Sequence, residues 1–190
     1  KIIEISKPPT NLRILRATIG INPLEIPKPD VDPVTLGPGE VIIEQTREYD
    51  VGQPVTIVSG TNLKLGAKAS LIVRGPLMIR GNLSDPVIVR PLDPGQPFGV
   101  LAVFGKETGG TRIRYLDMEG GSIHRRFNLK FSGMLSIHDC PDVEILNSRF
   151  GKNFLGDDAV HIARSIAIVK NTVFENALFD SMDWDKVNGE

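Results

Sequence analysis

One cysteine among 190 residues, Cys140, has no partner for an intramolecular disulfide and no Cys/His spacing for a structural zinc site. A buried free thiol is the expected state. No apolar run reaches the ~18 to 20 residues of a membrane-spanning helix, so no span is expected. Charge of one sign is also missing. With 22 basic and 23 acidic residues the net charge is −1, which gives no electrostatic ground for a nucleic-acid partner or an anionic membrane surface. The opening KIIEISKPP lacks the layout of a signal peptide, and without an initiator Met it reads as a processed or excised chain.

Helix-forming stretches are scarce as well. Nineteen Gly and fourteen Pro punctuate short alternating apolar segments, the composition of a turn-rich β protein. The length suits one main domain. Half of the prolines fall in residues 1–38, poor material for a helix or a central strand. Residues 1–39 therefore read as an N-terminal cap or lead-in segment, with a flexible linker as the second reading and one candidate strand at 12–21. From Glu40 the pattern changes to VIIEQ, VTIVS, NLKLG, SLIVRG, PLMIRG and PVIVRP, with little room for helical crossovers.

These segments repeat. In TRIRYLDM, VEILNSRF and IAIVKNTVF, Ile113, Ile145 and Val169 share a position, as do Met118, Phe150 and Phe174. Tyr115, Asn147 and Asn171 form another such set, which predicts an internal amide ladder. A second family, GMLSIHDC, DAVHIARS and DSMDWDKV, aligns Leu135, Val160 and Met182. Two strand types recurring with nearly one period predict a solenoid whose coils stack in parallel, with equivalent residues ~4.8 Å apart. An inserted loop is expected around residues 120–131.

On SLIVRGPLMIRG, PVIVRP, HDCPDVEILNSRF and GDDAVHI, residues 40–190 resemble the right-handed parallel β-helices of the pectin-lyase-like superfamily. The resemblance implies an all-β solenoid with three strands per coil and inward columns of Ile, Val, Leu and Phe. GDDAVHIARS also resembles the Gly-Asp-Asp segment of polygalacturonase-type hydrolases, which maps catalytic carboxylates onto Asp157 and Asp158; their Asn-Thr-Asp, Gly-His-Gly and Arg-Ile-Lys companions are absent. Pectate lyases imply acidic calcium ligands and a catalytic Arg, but no motif fixes Arg164 or Arg149 in that role. The chain is most similar overall to β-helical segments of large bacterial secreted or surface proteins, which implies an extracellular or cell-surface location. No kinase motif accompanies it.

The acidic stretch 156–185 holds the candidate chemistry. Asp158 aligns with Asp180 and His161 with Asp183, and period-two alternation sends His161, Asp183 and Asp185 to the outer face. Asp157, Asp158 and Asp180 are the catalytic candidates, because glycoside hydrolysis needs paired carboxylates. His161, Asp183, Asp185 and Arg164 are candidate ligand-binding residues, and Asp158, Asp180 and Asp183 candidate Ca²⁺ ligands. Structural roles for Asp at coil turns stand beside these readings. Ser136, His161 and Asp183 align as a column without a nucleophile elbow, and a hydrogen-bonded surface ladder is the expectation. His138 falls in the neighbouring column with Ala163 and Asp185, so a dense metal-binding histidine cluster is not expected.

Trp184 is expected inward with Ile162. The expected function is a carbohydrate-binding or scaffolding module, with a polysaccharide hydrolase or lyase as the alternative. The last coil, DSMDWDKVNGE, has no evident cap, which predicts further coils or another chain beyond it.

Overall fold

The structure, a computed structural model, describes residues 31–126 and 128–189. Its first sheet stacks Val34–Leu36, Val55–Val58, Leu77–Arg80, Thr111–Arg114, Val143–Leu146, Ile166–Lys170 and Asn188–Gly189 in that order. The second stacks Gly39–Ile43, Thr61–Leu65, Val87–Pro91, Leu116–Met118, Arg149–Phe150 and Val173–Phe174. Arg47–Glu48, Leu71–Val73, Leu101–Phe104, Gly133–His138, Asp158–Ala163 and Asp180–Asp185 make the third. Each coil contributes a strand to each sheet in turn, and the chain is a parallel β-solenoid of about six turns. Among the described residues the only helical element is a 3₁₀ turn at Lys106–Thr108.

Val34–Leu36 already pairs with Val55–Ile57, so the solenoid begins within the segment read as a cap or lead-in. Residues 1–30, with the candidate strand at 12–21, lie outside the described residues.

The stacking register follows from the apolar columns. Leu135 pairs with Val160 and Val160 with Met182, while Ile162 pairs with Trp184. Ile113, Ile145 and Val169 form a second inner column. Met118, Phe150 and Phe174 form a third, in which the two phenyl rings stack with centroids 5.5 Å apart. A slip by one residue would turn each of these columns to solvent, so burial itself fixes the register. One continuous core runs along the axis, with Met182 and Trp184 packed against it and partly buried.

The column of Tyr115, Asn147 and Asn171 differs from its expectation. All three have left-handed backbone conformations, with φ of 49°, 51° and 51°, at the corner between the first and second sheets. Asn147 is only half-buried and Asn171 is exposed, so the column is a stack of turns rather than an internal amide ladder. Asparagine tolerates this conformation better than most residues, and that preference produced the sequence signal. Asp139, Arg164 and Lys186, with φ of 56°, 49° and 55°, repeat the device at the corner leaving the third sheet.

The insertion expected around 120–131 contains an antiparallel hairpin, His124–Arg126 paired with Leu129–Phe131. Phe131 is fully buried in a second apolar cluster with Ile72, Val100 and Ala102, against which Phe104 and Leu129 pack. Ile72 and Ala102 are in register with Ser136 and His161. The hairpin thus closes the outer face of the third sheet, which would otherwise expose this apolar pair. Burying a Phe side chain contributes about 1.5–3 kcal/mol. Arg126 on the hairpin makes an ion pair with Glu48 at the start of the same sheet.

Candidate functional site

The site grows from a break in alternation. Leu135 and its preceding neighbour Met134 both lie in the core, and Ala159 and Val160 do the same one coil on. Two successive inward residues shift the pleat, so Asp158 joins the side chains on the outer face with His161. Gly133, paired with Asp158, permits the close stacking: a Cβ there would stand 2.6 Å from the His161 backbone nitrogen. The turn leading into this strand is held by Asn153, fully buried, whose amide donates to the carbonyls of Gly156 and Asp158 at 3.1 and 3.0 Å. Its Oδ1 accepts from the Leu178 N–H at 2.7 Å, tying the turn to the next coil.

His161 lies at the centre. Ser132, the residue after the hairpin, donates its hydroxyl to Asp158 Oδ2 at 2.9 Å and places the same Oγ 2.9 Å from His161 Nδ1. His138 Nε2 is 3.2 Å from that nitrogen, and the two imidazoles meet edge to face with centroids 4.8 Å apart. On the other side of the ring, Nε2 faces Asp185 Oδ2 at 3.4 Å and Asp183 Oδ2 at 3.9 Å. Phe131 covers His138, with ring centroids 5.1 Å apart. The third histidine, His124, sits on the hairpin with Nδ1 3.0 Å from Ser70 Oγ, so all three histidines occupy the covered side of one sheet.

Burial sets the protonation. His138 is 2% exposed and its Nδ1 has no partner, so loss of hydration, reinforced by the neighbouring His161, pushes its pKa down to about 4. His124 is lowered by the same loss of hydration and by Arg126. Burial raises the Asp158 carboxyl, an effect opposed by the Ser132 hydrogen bond. Asp157 is the reverse case: exposed, and held below the ordinary carboxylate range by Lys130, whose Nζ donates at 2.7 Å.

The outer-face residues expected from the sequence separate into groups. His161, Asp183 and Asp185 come together, with ligand atoms of all three within 4.8 Å of one another. His161 points outward yet is only 8% exposed, because Ser132 and His138 crowd it. Asp158 and Asp180 stand in register, the first buried and the second exposed. Arg164 turns away to Asp139, making a two-pronged ion pair at 2.8 Å in each contact. Arg149 is likewise engaged, by Asp117, Glu119 and Glu175.

Two members of the network were not drawn from the sequence. Ser136, aligned with His161, donates instead to the Gly133 carbonyl at 2.7 Å, and the hydroxyl that reaches the imidazole is that of Ser132. Ser132 carries no column signal because it precedes the strand. His138 stands one column away from His161 and meets it across the diagonal, a contact that column alignment alone does not show. Long side chains bridge such diagonals between adjacent strands.

Chemically, the assembly offers an acceptor-rich mouth backed by a closed hydrogen-bond chain. Ser132 is 7% exposed and its proton is committed to Asp158, an arrangement unsuited to a nucleophile. Asp158 at 2% exposure is likewise withdrawn from a bulky substrate. A separate cleft of about 330 Å³ is lined by Arg90, Pro91, Pro94, Lys152 and Phe154 among others, with Lys152 Nζ 5.0 Å from the Phe154 ring centre. Comparison with protein-family models, with curated proteins and with solved structures finds no match for this chain.

Proposed function

We propose that this chain is a β-solenoid binding module of an extracellular or surface protein, taking carbohydrate at the acidic mouth of its third sheet. The observation that carries the reading is the division of labour among the carboxylates. Asp183 and Asp185 are accessible beside His161, whereas Asp158 is buried and bonded to Ser132. Vicinal hydroxyls of a sugar are donors, and a cluster of acceptors on a rigid sheet complements them. Hydrolysis asks for a proton donor that reaches the glycosidic oxygen, and Asp158, whose raised pKa would suit that task, is closed off. Among the described residues no helix is long and apolar enough to cross a membrane.

Glycan binding is tested by titrating the chain with neutral glycans and polyuronides, with and without divalent cation, while assaying for new reducing ends and unsaturated products. Saturable binding without products, weakened by Asp183→Asn, is the expected result. Products that disappear in Asp158→Asn or Asp180→Asn would replace this reading with a hydrolase or lyase. Neither binding nor products would leave a scaffold.

A further inference from the structure

We infer that His161, Asp183 and Asp185 form a binding site for a divalent transition-metal ion of the zinc class, with coordination positions open to the outside. The inference is independent of the carbohydrate reading. Three observations carry it: the mixed donor set, the hydrogen-bond partners behind it, and the burial of the imidazole.

The donor atoms lie within 4.8 Å of one another, and the His161 Nε2 distances to Asp185 and Asp183 are 3.4 and 3.9 Å. Ligands about 2.0–2.2 Å from a shared zinc ion are themselves roughly 3–4 Å apart, so modest rotation of the carboxylates completes the set. Both carboxylates have that freedom, with side chains 46% and 67% exposed. Their spacing is a product of the fold: alternation puts Asp183 and Asp185 on one face, and the coil register puts His161 directly beneath Asp183.

The proton arrangement is assigned from hydrogen-bond partners. The Ser132 hydroxyl donates to Asp158, so the lone pairs of its Oγ face His161 Nδ1. His138 Nε2 converges on the same nitrogen. Because His138 Nδ1 has no partner, His138 donates from Nε2 to His161 Nδ1, and His161 Nε2 carries the proton that faces Asp185 and Asp183. A divalent cation bound there takes the place of that proton, which then resides on Nδ1 with the Ser132 Oγ as its acceptor. Ser132 and Asp158 then fulfil the role of the outer partners that fix the tautomer and aim of metal-bound imidazoles.

The imidazole also selects the ion. Calcium and magnesium favour all-oxygen shells, whereas zinc and its first-row neighbours accept imidazole nitrogen with carboxylate. His161 is 8% exposed and its ring is fixed from behind by Ser132 and His138, so ordering it for coordination carries little further entropic cost. Three protein ligands on an open face leave room for water or a ligand oxygen, as in zinc sites with an exchangeable position.

The test is titration calorimetry of the chelator-stripped chain with Zn²⁺ and with Ca²⁺, glycan absent. One saturable Zn²⁺ per chain, at least tenfold tighter than Ca²⁺, is expected. Asp185→Asn, at an exposed position that leaves the fold intact by circular dichroism, should weaken Zn²⁺ at least tenfold. Ser132→Ala, which removes no ligand, should weaken it by about 10–100-fold. Asp157→Asn should leave it unchanged. Absence of saturable Zn²⁺ binding, tighter Ca²⁺ binding, or wild-type affinity in Asp185→Asn would each overturn the inference. Because no glycan is present, its failure leaves the carbohydrate reading standing, and glycan binding that survives chelation leaves the metal site to be judged on its own titration.

Discussion

His138 and His161 meet edge to face at 4.8 Å although they stand in different columns of adjacent coils. Burial of His138, with His161 against it, makes the third sheet sensitive to acid. His138 has a folded pKa near 4 against an ordinary 6.5, so between those values the unfolded chain binds the extra proton and stability falls as pH falls. The full cost, reached below both values, is on the order of 3 kcal/mol. Asp158 opposes it, since its raised pKa gives a contribution present at low pH and lost as pH rises through the folded value. Urea midpoints from pH 7.5 to 4 should therefore fall more steeply in the wild type than in His138→Phe, whose ring remains neutral. Equal slopes would show that His138 is not the acid-sensitive group.

The hairpin produces that shift by excluding water. Phe131→Ala opens the apolar cluster over Ile72 and Ala102 and uncovers His138. It should cost about 3–5 kcal/mol. It should also move the His138 pKa upward toward 6.5, read by NMR titration of the imidazole protons. Destabilisation with an unmoved His138 would show that the hairpin does not control hydration at the site.

The stacked corner distinguishes backbone preference from side-chain bonding. At Asn147, with φ of 51°, substitution by Ala should cost roughly 1–2 kcal/mol, while Gly should be tolerated. An amide ladder would make both substitutions equally harmful. Denaturation midpoints of the two variants decide between these accounts.

Close coil stacking should be least forgiving at Gly133. A methyl group there meets the His161 backbone nitrogen at 2.6 Å, so Gly133→Ala must lift one strand from the next. A loss of about 1–3 kcal/mol is expected. Slowed exchange of the His161 amide in the variant would contradict the predicted loosening.

The inner columns were legible in the sequence because burial imposes a pattern with period two within each strand and one coil between strands. Ile113, Ile145 and Val169, or Val160 and Met182, carry that pattern in their side chains alone. Of the polar site, the part in register was legible: His161 beside Asp183. Ser132 was not, since it reaches His161 from outside the strand, and neither was the diagonal from His138. Asn147 and Asn171 show a different limit, in which a repeated residue type reported a backbone angle and was read as a bonding pattern. The cover over the outer face depended on a hairpin folding back across coils, a contact that local periodicity does not encode.

The hairpin also shows where this architecture accepts novelty. Leu101 still pairs with Leu135, and Val103 with Ile137, although an entire antiparallel excursion separates those strands. The hairpin is anchored to the solenoid through Phe131 and Leu129 in the apolar cluster, through Arg126 to Glu48 and through His124 to Ser70, all outside the axial core. An excursion at this corner alters what the molecule displays while the stack beneath keeps its register. The corner after the second sheet is therefore a natural graft point, where surface diversification and the preservation of the fold proceed separately.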